Sequence, residues 1–152
     1  MLKSNILVVD DSEISREILI SMLEDEYTVY EACNGQEAVD LLTKNHEFYQ
    51  LVLLDLNMPV LDGYGVLEIM KERDWIKDVP VIIISADIGR ANEMGAVDFF
   101  SKPFDKEIVR TRIRNVLAIY ERYITDSLTG GLNSKGFTRT VENLFQKGVD
   151  KT

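Results

Sequence analysis

The chain repeats one local pattern five times. A short apolar run, rich in β-branched residues, stops abruptly at a polar or charged residue, and a stretch with helical spacing follows. The runs are Asn5–Val9 (NILVV), Tyr27–Ala32 (YTVYEA), Leu51–Leu54 (LVLL), Val81–Ile84 (VIII) and Ala96–Phe100 (AVDFF). Near-continuous apolar runs of this length read as strands buried on both faces. After the first, Ser12 is placed to cap a helix with an apolar stripe of Ile14, Ile18, Leu19, Met22 and Leu23. A second helix is expected from about Gly35 to Asn45, with Ala38, Val39, Leu41 and Leu42 inward. The segment LNMPVLDG after the third run is a loop, punctuated by Pro59 and the pair Asp62-Gly63, and a helix then runs to about Arg73. Strands that alternate with helices predict an α/β fold, a doubly wound five-stranded parallel sheet with right-handed crossovers.

Composition narrows the class. The 152 residues and 45% hydrophobic content suffice for one well-packed domain with little left for a second. A formal net charge of −9 argues against nucleic-acid binding by this chain and against anionic membrane surfaces. The N-terminal apolar run is cut off by charges, so neither a signal peptide nor a membrane span is expected there. The single cysteine, Cys33, rules out an internal disulfide and fits a reducing, cytoplasmic setting.

In an open parallel sheet the functional residues collect beyond the carboxyl ends of the strands. Here those ends deliver Asp10 and Asp11, then Asp55, Ser85 and Lys102. Three crowded carboxylates raise one another's proton affinity unless a cation relieves them, and one lysine cannot balance three acids. Oxygen-only donors favour Mg2+ or Mn2+ over zinc. Such a site suits a phosphoryl group, whose transfer needs positioning and charge neutralisation. Asp55, on a different strand from the acidic pair, is the best candidate nucleophile, with Asp10 and Asp11 left to hold the metal.

The motifs VVDDS (8–12), LLDLNMPVLDG (53–63), ISA (84–86) and GAVDFFSKPF (95–104), in this order, resemble the receiver domain of two-component response regulators. The resemblance covers about the first 120 residues. It implies a flavodoxin-like receiver fold with strand order 2-1-3-4-5, and Asp55 phosphorylated by a sensor histidine kinase. It also implies Mg2+ held by Asp10, Asp11, Asp55 and the backbone carbonyl of Asn57. Ser85 and Lys102 are similar to the family's phosphate-binding hydroxyl and lysine, Phe99 to its aromatic switch residue, and Pro103 to its cis-proline. Asn57 and Asp87 stand where relatives tune dephosphorylation.

Two departures follow. The segment ADIGRANEM between Ser85 and Gly95 leaves room for only a shortened fourth helix, which leaves the mode of any homodimer open. Beyond Asp105 an apolar stripe (Val109, Ile113, Val116, Leu117, Tyr120, Ile124) predicts an extended C-terminal helix. It runs into TDSLTGGLNSKGF (125–137), which resembles the opening of diguanylate cyclase (GGDEF) domains at Asp126, Leu128, Thr129, Gly130, Asn133 and Phe137 but not at Gly131 or Ser134. The signature cyclase loop is not in these residues, so no cyclic di-GMP synthesis is expected of them. The chain reads as a receiver over 1–120, then a helical linker and the truncated start of an output domain over 121–152, part of a longer or truncated regulator.

Rival readings have their own sequence tests. A metal-dependent phosphohydrolase wants a second acid two residues after its nucleophile, and that position is Asn57. A flavin carrier wants a phosphate loop after the first strand, where this chain has DDSEIS. A receiver serving only as an interaction module is the remaining alternative. Taken singly, Asp10, Asp11, Asp55 and Ser85 are ordinary caps, Lys102 a surface lysine and Phe99 a core aromatic. Trp75 is expected to anchor the loop before the fourth strand, His46 to end a helix near solvent, Cys33 to be a packed thiol, and Arg110, Arg112 and Arg114 to be solvated or ion-paired.

Overall fold

A computed structural model describes residues 3–85 and 91–130, with side chains described for 3–85 and 93–120. The elements alternate as expected: β1 (Asn5–Val9), α1 (Glu13–Leu23), β2 (Thr28–Ala32), α2 (Gly35–Asn45), β3 (Leu51–Leu54), α3 (Gly63–Glu72), β4 (Val81–Ile83), β5 (Asp98–Phe99) and α4 (Lys106–Gly130). Short 3-10 turns at His46–Phe48, Trp75–Lys77 and Ala91–Met94 lead into β3, β4 and β5. The strands form one sheet, ordered β2-β1-β3-β4-β5, with every pairing parallel. This is the doubly wound order anticipated from sequence, and its reversal point lies between β1 and β3.

The central strands carry the core. Ile6–Val9, Leu51–Leu54 and Val81–Ile83 are all buried, because helices cover both faces of the sheet. On one face Leu7, Val9, Val52, Leu54, Val81 and Ile83 pack with Ala38, Val39 and Leu42 of α2 and Val66, Leu67 and Met70 of α3.

Each of the first three helices starts on a capping side chain. Ser12 accepts from the N–H of Ser15, Asn34 from Glu37 and Asp62 from Gly65. Such a cap contributes about 1 kcal/mol by satisfying an otherwise orphaned donor. Asp105 does the same for α4, accepting from the N–H groups of Glu107 and Ile108.

Strand limits differ in three places, the slightest at β4, which ends at Ile83 one residue before the expected Ile84. Tyr27 donates its N–H to Leu23 O (2.9 Å) and so closes α1 instead of opening β2. The β5 pairing shrinks to Asp98–Phe99, because this edge strand has a ladder partner on one side only and follows a turn in which Gly95 has φ 109°. The expected shortened fourth helix is represented by the single turn Ala91–Met94; residues 86–90, Asp87 among them, lie outside the described residues.

The chain divides into two compact units, 1–110 and 111–152. The extended C-terminal helix is α4, with Val109, Ile113, Val116, Leu117 and Tyr120 buried along it. Of the GGDEF-like segment, 131–137 lie outside the described residues.

Candidate functional site

Two ladders aim the acidic residues at one point. The N–H of Asp10 continues the β1–β2 ladder to Ala32 O (3.1 Å), and the N–H of Asp55 continues the β3–β1 ladder to Val9 O (2.9 Å). Both carboxylates therefore leave adjacent strands at the carboxyl edge of the sheet. Asp11 follows on the exposed rim, and the three carboxylates bring oxygens within 4.8 Å of one another. Ser85, just past β4, is buried at the same edge. Lys102 reaches in from beyond β5, where the Lys102-Pro103 peptide is cis.

Lys102 is not held in reserve for a ligand. Its Nζ lies 3.1 Å from Asp10 Oδ2 and 3.5 Å from Asp55 Oδ2. Burial disfavours its charge, but the two carboxylates outweigh burial and hold its pKa above the usual lysine value. Asp10 is 0% exposed. Burial pushes its pKa up, and the Asp55 charge adds to the rise; the Ser12 N–H (2.9 Å to Oδ1) and Lys102 act against it.

Asp10 Oδ2 shows why one lysine is not enough. Lys102 is near enough to pair with it electrostatically, yet the angles do not make a hydrogen bond, and this buried oxygen has no hydrogen-bond donor. An orphaned, buried, anionic oxygen beside two further carboxylates fits a hard divalent cation with oxygen ligands, Mg2+ or Mn2+. The residues present therefore fit the metal the sequence suggests.

The loop after β3 shapes the rim. The N–H of Asn57 donates to Asp55 Oδ1 (3.3 Å). Gly63 presses on the backbone behind the candidate nucleophile: a Cβ there would stand 2.4 Å from Asp55 O and 2.7 Å from Leu56 Cα. Only glycine fits that approach. Its dipeptide with Asp62 is visible in the sequence as loop punctuation, but the closeness to Asp55 is not. Between them, Val60 has φ 71°, and the N–H of Leu61 donates to Pro59 O (2.8 Å). That is a γ-turn of the rarer, strained kind, on a β-branched residue that is 79% exposed.

The remaining sequence candidates separate. Phe99, taken alone a core aromatic, is 39% exposed, and its neighbour Phe100 is the buried one. Cys33 donates to a Glu37 oxygen (3.1 Å), and that bond pushes the thiol pKa up, which disfavours a nucleophilic thiolate. Arg110 pairs with Glu26. Trp75 is buried in the turn before β4, as expected of an anchor, and His46 caps the end of α2. No helix among the described residues is long and apolar enough to cross a membrane.

A five-stranded parallel sheet in the order 2-1-3-4-5, with an acidic cluster and a lysine at its carboxyl edge, defines the doubly wound, flavodoxin-like class of fold. Residues 6–114 match the family model for the response regulator receiver domain, and the chain belongs to that family. It is 40% identical over 153 residues to "Probable transcriptional regulator ycf27" of Pyropia yezoensis, covering 95% of this chain and 60% of that protein. It is 35% identical to "Sporulation initiation phosphotransferase F" of Bacillus subtilis (strain 168), covering 78% of this chain and 98% of that protein. Among solved structures, "Structure of probable two-component system response regulator/GGDEF domain protein" aligns with a TM-score of 0.72 at 31% identity, covering 78% of this chain and 50% of that one. The chain thus spans less than two thirds of the ycf27 relative and half of the GGDEF-containing neighbour.

Proposed function

We propose that this chain is a phosphorylation switch in which Asp55 is the phosphoacceptor. The observation that carries the reading is the convergence of Asp10, Asp11 and Asp55 within 4.8 Å at the sheet edge, with Lys102 paired to two of them. Asp10, Asp11, Asp55 and the backbone carbonyl of Asn57 would hold Mg2+ or Mn2+. The ion, when bound, supplies the positive charge that phosphoryl oxygens require.

The chain's own residues do the rest. An Asp55 carboxylate oxygen attacks phosphorus; the P–N bond of the donor's phosphohistidine breaks, and its electron pair returns to the imidazole. Lys102, now shared between Asp10 and Asp55, transfers its ammonium to the new dianion. Ser85 donates its hydroxyl to the same group. Both shifts pull on the segment after β4, and Phe99 is the side chain that turns in response. The phosphate biases two conformations already in equilibrium, and the change passes to a downstream output domain.

Residues 1–120 would form the receiver and 121–152 the linker into that output. The TDSLTGGLNSKGF segment and the GGDEF-containing structural neighbours favour a cyclase-type output. The ycf27 relatives, named as transcriptional regulators, favour a second reading with a nucleic-acid-binding output. The expected partners are a sensor histidine kinase and the output domain, with any homodimer and its mode left open; the expected compartment is the cytoplasm.

Incubation with acetyl phosphate and Mg2+ tests the reading by intact mass. One phosphoryl group should add, and both EDTA and Asp55→Asn should abolish the addition. Equal labelling of the variant would mean the nucleophile is another residue; no labelling of the wild type would favour a receiver used only for protein contacts.

A further inference from the structure

The described residues bring a second set of metal-ligand side chains together, away from the acidic pocket. His46, Glu47 and Asp78 each offer one donor atom, and the three atoms lie within 4.8 Å of one another. His46 and Glu47 belong to the turn that enters β3, and Asp78 closes the turn that leads toward β4. In a parallel sheet both turns sit at the amino ends of the strands, the edge opposite Asp10, Asp55 and Lys102. The phosphoryl chemistry makes no use of them.

Three observations point to a ligand there. The donor set, one imidazole nitrogen and two carboxylates, is of intermediate softness and suits zinc, nickel or copper better than magnesium. The spacing fits as well. His46 Nε2 lies 3.3 Å from Asp78 Oδ2, at the long end for an N–H···O bond. The edge of a tetrahedron with metal–ligand bonds near 2.05 Å is about 3.35 Å. Finally, the imidazole is held in place. It stacks on Trp75 (centroids 5.4 Å apart, planes 20° apart), and Trp75 is buried, with the Arg73 guanidinium 5.0 Å from the same indole ring. A ring already fixed in plane loses little freedom on coordination.

We propose that His46, Glu47 and Asp78 form a binding site for a divalent transition ion of the zinc class. Water completes the coordination, and the ion clips the end of α2 to the turn before β4. The ion sees this geometry only in the folded chain, so it stabilises the fold by mass action.

The chain has one tryptophan and one histidine, which makes the site its own reporter. The experiment is a Ni2+ titration of the untagged chain in saturating Mg2+, read by tryptophan fluorescence. Saturable quenching is expected, reversed by Zn2+, whose filled d shell does not quench. His46→Gln should remove it, and Asp78→Asn and Glu47→Gln should each weaken it by about tenfold or more. Cys33→Ser, which removes the chain's one thiol, should leave it unchanged. Circular dichroism checks folding of each variant; if His46→Gln does not fold, the two carboxylate variants decide. An unquenched wild type, or variants that titrate like it, would reduce the cluster to an ordinary surface His–Asp pair.

Discussion

Replacing Asp10 with asparagine should make the metal-free protein more stable while removing its response to magnesium. The magnitude follows from the pocket. At an effective dielectric near 20, a carboxylate within 4.8 Å repels Asp10 by at least ~3.5 kcal/mol, and Lys102 at 3.1 Å attracts it by ~5 kcal/mol. Lys102 is partly solvated and shared with Asp55, so the two effects nearly offset. Desolvation of a wholly buried carboxylate is then left, several kcal/mol per ion, against one charge-assisted bond from the Ser12 N–H, roughly 1.5–3 kcal/mol.

Asparagine keeps an acceptor for Ser12 and removes the buried charge. A gain on the order of 1–2 kcal/mol is expected, about 5 °C in a domain of this size. Thermal unfolding followed by circular dichroism in EDTA measures it. Adding Mg2+ at about 100 times its Kd should then stabilise the wild type by about 2.7 kcal/mol and the variant hardly at all. The pH dependence has a definite sign. Because burial raises the native pKa of Asp10, the native state keeps this proton to higher pH than the unfolded chain does. The cost of the ionised form is absent below the unfolded carboxylate value, near ~3.9, and grows until the native pKa is passed. Lowering the pH should therefore close the gap between variant and wild type. A variant that melts below the wild type in EDTA at neutral pH, or a gap that widens with acid, would refute this reasoning.

Other substitutions test the rim. Gly63→Ala puts a Cβ 2.4 Å from Asp55 O; it should lower stability in urea by about 1–3 kcal/mol and weaken the Mg2+ response, because the backbone behind Asp55 has to move. Val60→Gly relieves a strained φ of 71°; after glycine's own entropic cost, a gain of about 0.5–1 kcal/mol in the same assay is expected, and a loss would mean that the γ-turn carries no strain.

Much of this architecture was legible because strand burial leaves a plain signature. Leu51–Leu54 and Val81–Ile84 are apolar and buried since helices cover both faces, and each run is followed directly by a candidate site residue, Asp55 or Ser85. That rule, together with the family motifs, singles out Asp10, Asp55, Ser85 and Lys102 as candidates. What stayed hidden depends on contacts between distant segments. The pairing of Lys102 with Asp10 rests on how the chain returns after β5, which no local pattern encodes. The exposure of Phe99 and burial of Phe100 turn on which face of a two-residue edge strand meets the sheet, too short a run for alternation to reveal. Val60 has a residue type that argues against positive φ, so its turn has no sequence signal. The sequence marks Trp75 as an anchor, but its stack with His46 joins segments 29 positions apart.

The most direct measurement is a structure of the chain with Mg2+ and beryllium fluoride. The expected result is an ion bound by Asp10, Asp11, Asp55 and the Asn57 carbonyl, beryllium on an Asp55 oxygen, and Lys102 moved from Asp10 onto the fluorides. An empty acidic pocket at saturating Mg2+, or the fluoride on a different side chain, would contradict the assignment of Asp55 as phosphoacceptor.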